Sequence, residues 1–307
     1  MKSAVVTGAT GVVGKALVDF LIKKGIKVLV LVRNSESADK IVSSPLVNTV
    51  VCPLEALDDF NAEGPFDAFF HLGWSGTYGE ARNDLNEQLK NVDYALSAVR
   101  LAKRLNCKSF VGVGSQAEYG IVSLGTKLSP QTPLNPVTGY GKAKLAAFEK
   151  CKTLCGELDI KFCWCRILSV YGAGDKPYTL IMQAIAGFVN GNECPFTPAE
   201  QQWDYLNSGD LAYALYLIAE KGKDGKAYTV GCGETRQLKE YIETVYRIVG
   251  NENAVCKFGA IDYFPNQVMY LCADISDLTR DTGFVPRISF EDGIKETIEW
   301  YKRGLKK

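Results

Sequence analysis

The stretch Thr7-Gly8-Ala9-Thr10-Gly11-Val12-Val13-Gly14 constrains this chain more than any other. It follows a short β-branched run, Ser3–Thr7, and opens a helical pattern over Val12–Lys24 in which Val13, Leu17, Phe20 and Leu21 share one face. Gly25 then supplies a C-terminal stop. Glycines at this spacing between a strand and a helix have separate physical reasons: a tight turn, close approach of the backbone to a pyrophosphate, and close packing of helix on strand. The free amides and positive dipole end of the helix favour phosphate there. A lone glycine pattern means little. At the head of a strand–helix series it predicts a dinucleotide-binding turn, with Gly8, Thr10, Gly11, Val12, Val13 and Gly14 against the phosphates.

The N-terminal half repeats that alternation. Runs at Lys27–Val32, Asn48–Cys52, Ala68–Leu72, Ser109–Gly114 and Lys161–Arg166 read as buried strands, and helices are expected over Asn83–Leu105 and Tyr140–Cys155. Apolar strands alternating with helices predict an α/β fold, a doubly wound parallel sheet covered on both faces. Past Arg166 prolines and glycines become frequent. A strand at Ala227–Val230 and helices at Leu238–Val249 and Phe290–Lys302 are the elements expected there. The organisation expected is a dinucleotide-binding domain over residues 1–168, rejoined by about 204–231, and a smaller C-terminal α/β substrate lobe from 169–203 and 232–307.

Composition narrows the partners. Lys plus Arg is 35 and Asp plus Glu is 35, so no overall field draws in nucleic acid or an acidic membrane. No apolar run reaches the roughly 18 residues of a membrane span. Ten cysteines contain no CxxC pair, and His71 is the sole histidine, too few ligands for a zinc site of the usual kind. No metal is expected. The glycine turn begins so near the first residue that a secretory segment has no room, so reduced cysteines and a cytoplasmic location are expected.

The end of the second strand selects the dinucleotide. An acid about 20 residues past the glycine turn would bind both ribose hydroxyls and favour NAD. Arg33 stands there instead, followed by Asn34 and Ser35. A guanidinium with neighbouring polar donors holds a 2′-phosphate by charge-assisted hydrogen bonds, so NADP(H) is expected in preference to NAD(H). Tyr140 and Lys144 lie four apart on an expected helix and face the same way. A free phenol, with a pKa of about 10, is a poor acid–base catalyst, and a nearby ammonium favours its phenolate. Ser115 ends a strand upstream, where its hydroxyl can orient a substrate carbonyl. Trp74, Thr77 and Tyr78 follow another strand's C-terminal end, where open α/β sheets bind ligands.

Together the glycine turn, Ser115 within Gly114–Gly120, the Tyr140–Lys144 stretch YGKAK and Arg166–Gly174 resemble the extended short-chain dehydrogenase/reductases, in their nucleotide-sugar epimerase, dehydratase and reductase branch. The likeness runs through the closing stretch Asp277–Pro286. It implies a Rossmann domain with a C-terminal substrate lobe and a catalytic set of Ser115, Tyr140 and Lys144. It implies cofactor contacts from the 8–14 turn, from Arg33 and Asn34, from Leu72 and Gly73, and from Tyr140 and Lys144 themselves. Asn91 matches an asparagine that supports the site, and His71 a histidine packed beneath the cofactor. Pairing of two long helices into a homodimer is a further expectation.

Departures from the pattern narrow the reaction. Dehydratases of this branch carry an Asp-Glu pair directly after the catalytic Ser or Thr, whereas this chain has Gln116 and Ala117. Alanine donates no proton, which disfavours dehydration. Trp203 stands where many relatives have an arginine, Phe264 at a second basic position, and Ser169 at a phosphate-contacting asparagine. The expected substrate contacts are Trp74, Thr77, Tyr78, Gln116, Ser169 and Trp203. The reading is NADPH-dependent reduction of a keto-sugar, with a nucleotide-linked 4-keto-6-deoxyhexose as the expected substrate. A nucleotide-sugar 4-epimerase is the alternative, and a non-catalytic dinucleotide-binding sensor the third.

Overall fold

The computed structural model describes residues 1–265 and 267–305. Ten elements build the first part of the chain: β1 (Ser3–Thr7), α1 (Val12–Lys23), β2 (Lys27–Val32), α2 (Ser35–Ala38), β3 (Val47–Val51), β4 (Ala68–His71), α3 (Leu85–Arg104), β5 (Ser109–Ser115), α4 (Gly139–Glu157) and β6 (Lys161–Ile167). A seventh strand, Lys226–Val230, joins them beside β6. The sheet runs in the order Lys226–Val230, β6, β5, β4, β1, β2, β3, and every neighbouring pair is parallel. The strand order reverses between β1 and β4. In a doubly wound sheet that reversal opens a crevice at the strands' C-terminal ends.

Successive residues of β1 divide between two cores, as a period of two requires. Ala4 and Val6 pack with Leu17 and Leu21 of α1. Val5 points the other way, toward Val92, Ala95 and Val99 of α3 and Ala143 and Ala147 of α4. After β6 come α5 (Leu180–Val189) and α6 (Ser208–Lys221), and α6 joins α1 on the first face through Leu211, Leu215 and Ile218. A separate cluster forms where α5 meets α7 (Leu238–Val249) and, past α8 (Ser276–Thr282), α9 (Phe290–Gly304). Its centre is Ile185, Phe188, Ile242, Val245, Ile294 and Ile298.

Most expected elements lie within a few residues of the observed ones, and β3 sits one residue earlier than its pattern indicated. The strand near Ala227 belongs to the main sheet. The expected elements include neither α5 nor α6. Each has apolar side chains on most of its circumference, so periodicity gives little sign of them. The cysteines are all free thiols, and eight are buried. Burial pushes Cys107, Cys151 and Cys163 up to about 12, so they act as small hydrophobes rather than nucleophiles. Among the described residues no helix is long and apolar enough to cross a membrane.

Candidate active site

The glycine turn is shaped by two different demands. Gly8 has φ of 74°, and a Cβ there would lie 2.6 Å from the Gly73 nitrogen and the Leu72 carbonyl carbon. At Gly14 a Cβ would come within 2.2 Å of the Gly8 oxygen. These two glycines let the turn pack on α1 and on the end of β4. Gly11 differs, since a Cβ there would meet only the Gly8 oxygen, at 3.7 Å. Gly11 is also the N-cap of α1 and gives it no side-chain cap, so the first-turn amides of Val12 and Val13 have no side-chain acceptor. An open glycine beside uncapped amides at a helix start, with Thr10 next to it, fits a pyrophosphate. Leu72 and Gly73 wall the turn from the β4 side. Arg33 is exposed just past β2, and the Asn34 Oδ1 accepts from the Ser37 amide at 2.9 Å, capping α2.

Beneath this turn His71 faces Thr7 across the β1–β4 pair. The Gly73 amide donates to the Thr7 Oγ1 at 3.2 Å, and that hydroxyl lies 3.0 Å from the His71 Nδ1. Either the Thr7 hydroxyl or the ring can donate in this bond, and the buried Nε2 has no hydrogen-bond partner among the described residues. Burial holds the imidazole neutral, with a pKa lowered to about 3. This is a packed ring rather than a proton carrier at neutral pH.

Ser115 closes β5, and its position is fixed by a buried charge. Its amide donates to the Glu118 Oε1 at 2.8 Å, while its own Oγ accepts from the Ala117 amide at 3.2 Å, a capping box around the turn Gln116–Glu118. Glu118 is 0% exposed. It also accepts from the Trp164 Nε1 at 3.1 and 3.3 Å and from the Arg166 Nε at 2.7 Å. The β5 glycines make room for this network. A Cβ on Gly112 would lie 2.3 Å from the Trp164 ring, and one on Gly114 would lie 2.2 Å from both Glu118 and the Trp164 nitrogen.

Tyr140 and Lys144 project from the first turns of α4, which Thr138 caps by accepting from the Gly141 amide at 3.0 Å. The Lys144 Nζ donates to the Val113 carbonyl at 2.6 Å and sits 3.6 Å from the centroid of the Trp74 ring. It lies 5.7 Å from the Tyr140 centroid. Burial draws the Lys144 pKa down to about 7. Burial also raises the Tyr140 phenol, against the opposing pull of the Arg82 guanidinium and the Ser115 hydroxyl, while Glu118 adds to the rise. Ser115, Tyr140 and Lys144 are thus brought together at the C-terminal end of β5.

The loop after β4 is tied down from α3. Asn91 accepts from the Ser75 amide at 2.7 Å and donates to the Ser75 carbonyl at 3.1 Å. Gln88 accepts from the Trp74 Nε1 at 2.8 Å and donates to the carbonyls of Gly76 and Ala81 at 2.6 and 2.8 Å. Trp74 then meets the Tyr140 ring edge-on, with centroids 6.0 Å apart. Thr77 and Tyr78 are exposed, and Tyr78 stacks on Tyr178 with centroids 4.0 Å apart. Ser169 and Trp203 also meet, the indole nitrogen donating to the Ser169 Oγ at 2.8 Å. Gln116 is half-buried next to Ser115, and Phe264 is 75% exposed. Arg82, Gln88, Glu118 and Trp164 were not among the expected site residues. The Ser-x-x-Glu spacing at 115–118 is a capping-box signature that points to Glu118. The others had no such signal, because their partners lie far away in sequence or across a loop.

Comparison with known proteins identifies the family. The model of the NAD dependent epimerase/dehydratase family matches residues 4–231. The chain is similar to CDP-abequose synthase of Salmonella muenchen, 26% identical with 97% of each chain covered. It is similar to dTDP-glucose 4,6-dehydratase of Haemophilus influenzae, 23% identical with 98% of each covered. The fold is shared with the UDP-N-acetylglucosamine 4-epimerase of Methanobrevibacter ruminantium, solved with UDP-N-acetylmuramic acid, at a TM-score of 0.87, 22% identity and 99% coverage of both chains. With its doubly wound sheet, glycine turn and matched residues, the chain belongs to the NAD dependent epimerase/dehydratase family, a family of NAD(P)-dependent enzymes of the extended short-chain dehydrogenase/reductase type.

Proposed function

We propose that this enzyme reduces the carbonyl of a nucleotide-linked keto-sugar with NADPH, a 4-keto-6-deoxyhexose being the expected substrate. The observation that carries the reading is the approach of Ser115 and Lys144 to Tyr140 at the C-terminal end of β5. Tyr140 gives its proton to the carbonyl oxygen, Ser115 orients that oxygen, and Lys144 holds the cofactor ribose and favours the phenolate. A dinucleotide bound at the glycine turn would supply the hydride for the carbonyl carbon. Dehydration would need a further acid next to Ser115. Gln116 and Ala117 provide none, and the carboxylate of Glu118 is spent on Ser115, Trp164 and Arg166. Gln116, Trp74, Thr77, Tyr78, Ser169 and Trp203 are assigned to the sugar and its handle. The names of the relatives support a nucleotide-linked sugar as the substrate class.

A 4-epimerase would use the same three residues but return its cofactor to the starting state. The deciding experiment incubates purified protein and NADPH with CDP-, dTDP- and UDP-linked 4-keto sugars, and with sugars lacking a nucleotide. NADPH should be consumed in proportion to hydroxyl-sugar formed. Interconversion of two hydroxyl sugars by substoichiometric, tightly held cofactor would overturn the reductase reading in favour of the epimerase.

Arg33 gives a second expected outcome. Titration by fluorescence should show NADP(H) bound about tenfold or more tighter than NAD(H), the size of one charge-assisted contact. Arg33→Asp should narrow or reverse that order. Equal binding of both cofactors by the unmodified enzyme would remove the 2′-phosphate assignment.

A further inference from the structure

Arg82 ends the single turn Glu80–Arg82 between β4 and α3 and is half-buried at the mouth of the site. Its Nη1 donates to the Thr77 carbonyl at 2.9 Å, and its guanidinium carbon lies 4.2 Å from the centroid of the Tyr140 ring. Among the described residues no carboxylate pairs with it, although the chain's other arginines near carboxylates, such as Arg100 and Arg166, do form ion pairs. The segment that carries Arg82 is held in place, since Gln88 binds the carbonyl of the preceding Ala81. The cation is therefore delivered to one face of the phenol ring by a pinned loop, while Trp74 packs its edge against the same ring.

Two cations approach Tyr140, and they differ in kind. Lys144 is 97% buried, turned toward Val113 and Trp74, and its ammonium is only partly protonated near neutral pH. A guanidinium keeps its charge at any pH a protein survives. Arg82 is also the nearer of the two to the ring. We propose that Arg82 is a positioning residue for proton transfer by Tyr140, holding the ring against Trp74 and supplying the fixed positive charge that favours the phenolate. The inference rests on the proposed role of Tyr140 as proton donor and adds a second residue to it.

Every charged or titratable group facing the phenol fits this assignment. Ser115 from the end of β5 offers a neutral hydroxyl that stabilises the anion. Glu118, from the following turn, opposes it, but its charge is matched by Arg166 at 2.7 Å. Lys144, on α4 itself, directs its ammonium to the Val113 carbonyl and the Trp74 ring. Among the described residues facing the phenol, Arg82 supplies the fixed positive charge. A cation over the ring face also strengthens as the ring gains electron density, so the contact is better in the phenolate than in the phenol.

The test follows kcat and kcat/KM against pH for the unmodified enzyme, Arg82→Gln and Arg82→Lys. In reduction the protonated phenol is the active form, so activity falls as pH rises through its pKa. Arg82→Gln should move that alkaline limb up by about one pH unit and, because a weaker acid gives up its proton less readily, lower kcat at neutral pH about three- to tenfold, with the sugar KM within about twofold. Arg82→Lys, which keeps a charge, should bring the limb back toward the original. Ultraviolet difference titration of the cofactor-free proteins, each against its Tyr140→Phe counterpart, reads the same displacement without turnover. An unmoved limb and an unmoved titration, with Tyr140→Phe inactive, would overturn the proposal. A raised sugar KM with the limb in place would do the same and give Arg82 to the substrate. Full activity in Tyr140→Phe would instead remove the functional reading, and the titration would still decide whether Arg82 acts on the phenol.

Discussion

Tyr140→Phe should lower turnover by roughly 10²- to 10⁴-fold, the usual contribution of a positioned acid or base. The substitution removes one oxygen and leaves the ring, so the edge contact with Trp74 and the place of Arg82 over its face persist. Cofactor affinity should change little, because the phosphates are assigned to Gly11 and the first turn of α1 rather than to the phenol. The measurement is therefore paired: NADPH oxidation with a keto-sugar, and NADPH binding by fluorescence. A large fall in kcat with binding unchanged places the loss in the chemical step. Turnover near that of the unmodified enzyme would remove Tyr140 as proton donor.

Glu118→Ala should lower stability by about 3–5 kcal/mol, the cost of stripping the partner from a buried charge. Arg166 is 2% exposed, and its Nε donates to Glu118. Without that carboxylate the guanidinium is buried with no counter-ion, and the Trp164 Nε1 and the Ser115 amide lose an acceptor as well. For a chain of this size that corresponds to a fall in Tm of roughly 5–8 °C. Because Ser115 is held by the same group, activity should fall further than stability alone explains when assayed well below Tm. The double variant Glu118→Leu with Arg166→Met removes both charges and should recover much of the lost stability but not the activity. A Tm for Glu118→Ala within about 1 °C of the original would show that the network contributes little to the fold.

The relation between the two residues clarifies why the site needs its surroundings. Tyr140 brings the chemistry, and its environment sets the acidity at which that chemistry works. Burial raises the phenol, and Arg82 and Ser115 pull against it. Ser115 can do so only where Glu118 fixes the end of β5. The loop that carries Arg82 keeps its shape through Gln88 and Asn91 of α3. One buried carboxylate and two buried amides therefore hold up an arrangement whose reactive groups sit on three different elements.

What the sequence determined by itself was everything governed by local pattern. Short β-branched apolar runs placed β1 and β2 at their observed bounds, and a period near 3.6 placed α1 and α7 within a residue of theirs. The spacing of Gly8, Gly11 and Gly14 marked the turn, and four residues between Tyr140 and Lys144 put both on one face of α4. These are short-range facts, and the chain's own geometry enforces them. Tertiary structure decided the rest. It placed the strand Lys226–Val230 beside β6, and it buried α5 and α6 so fully that little polar stripe was left to reveal them. It turned the Lys144 ammonium toward Val113 and set Arg82, 58 residues before Tyr140 in the chain, over the phenol ring. It joined Glu118 to Trp164 and Arg166 across the β5–β6 pair. Such contacts depend on which side chains a closed sheet and its helices leave facing one another. Burial and the charges that share it follow from that packing, and no local spacing encodes them.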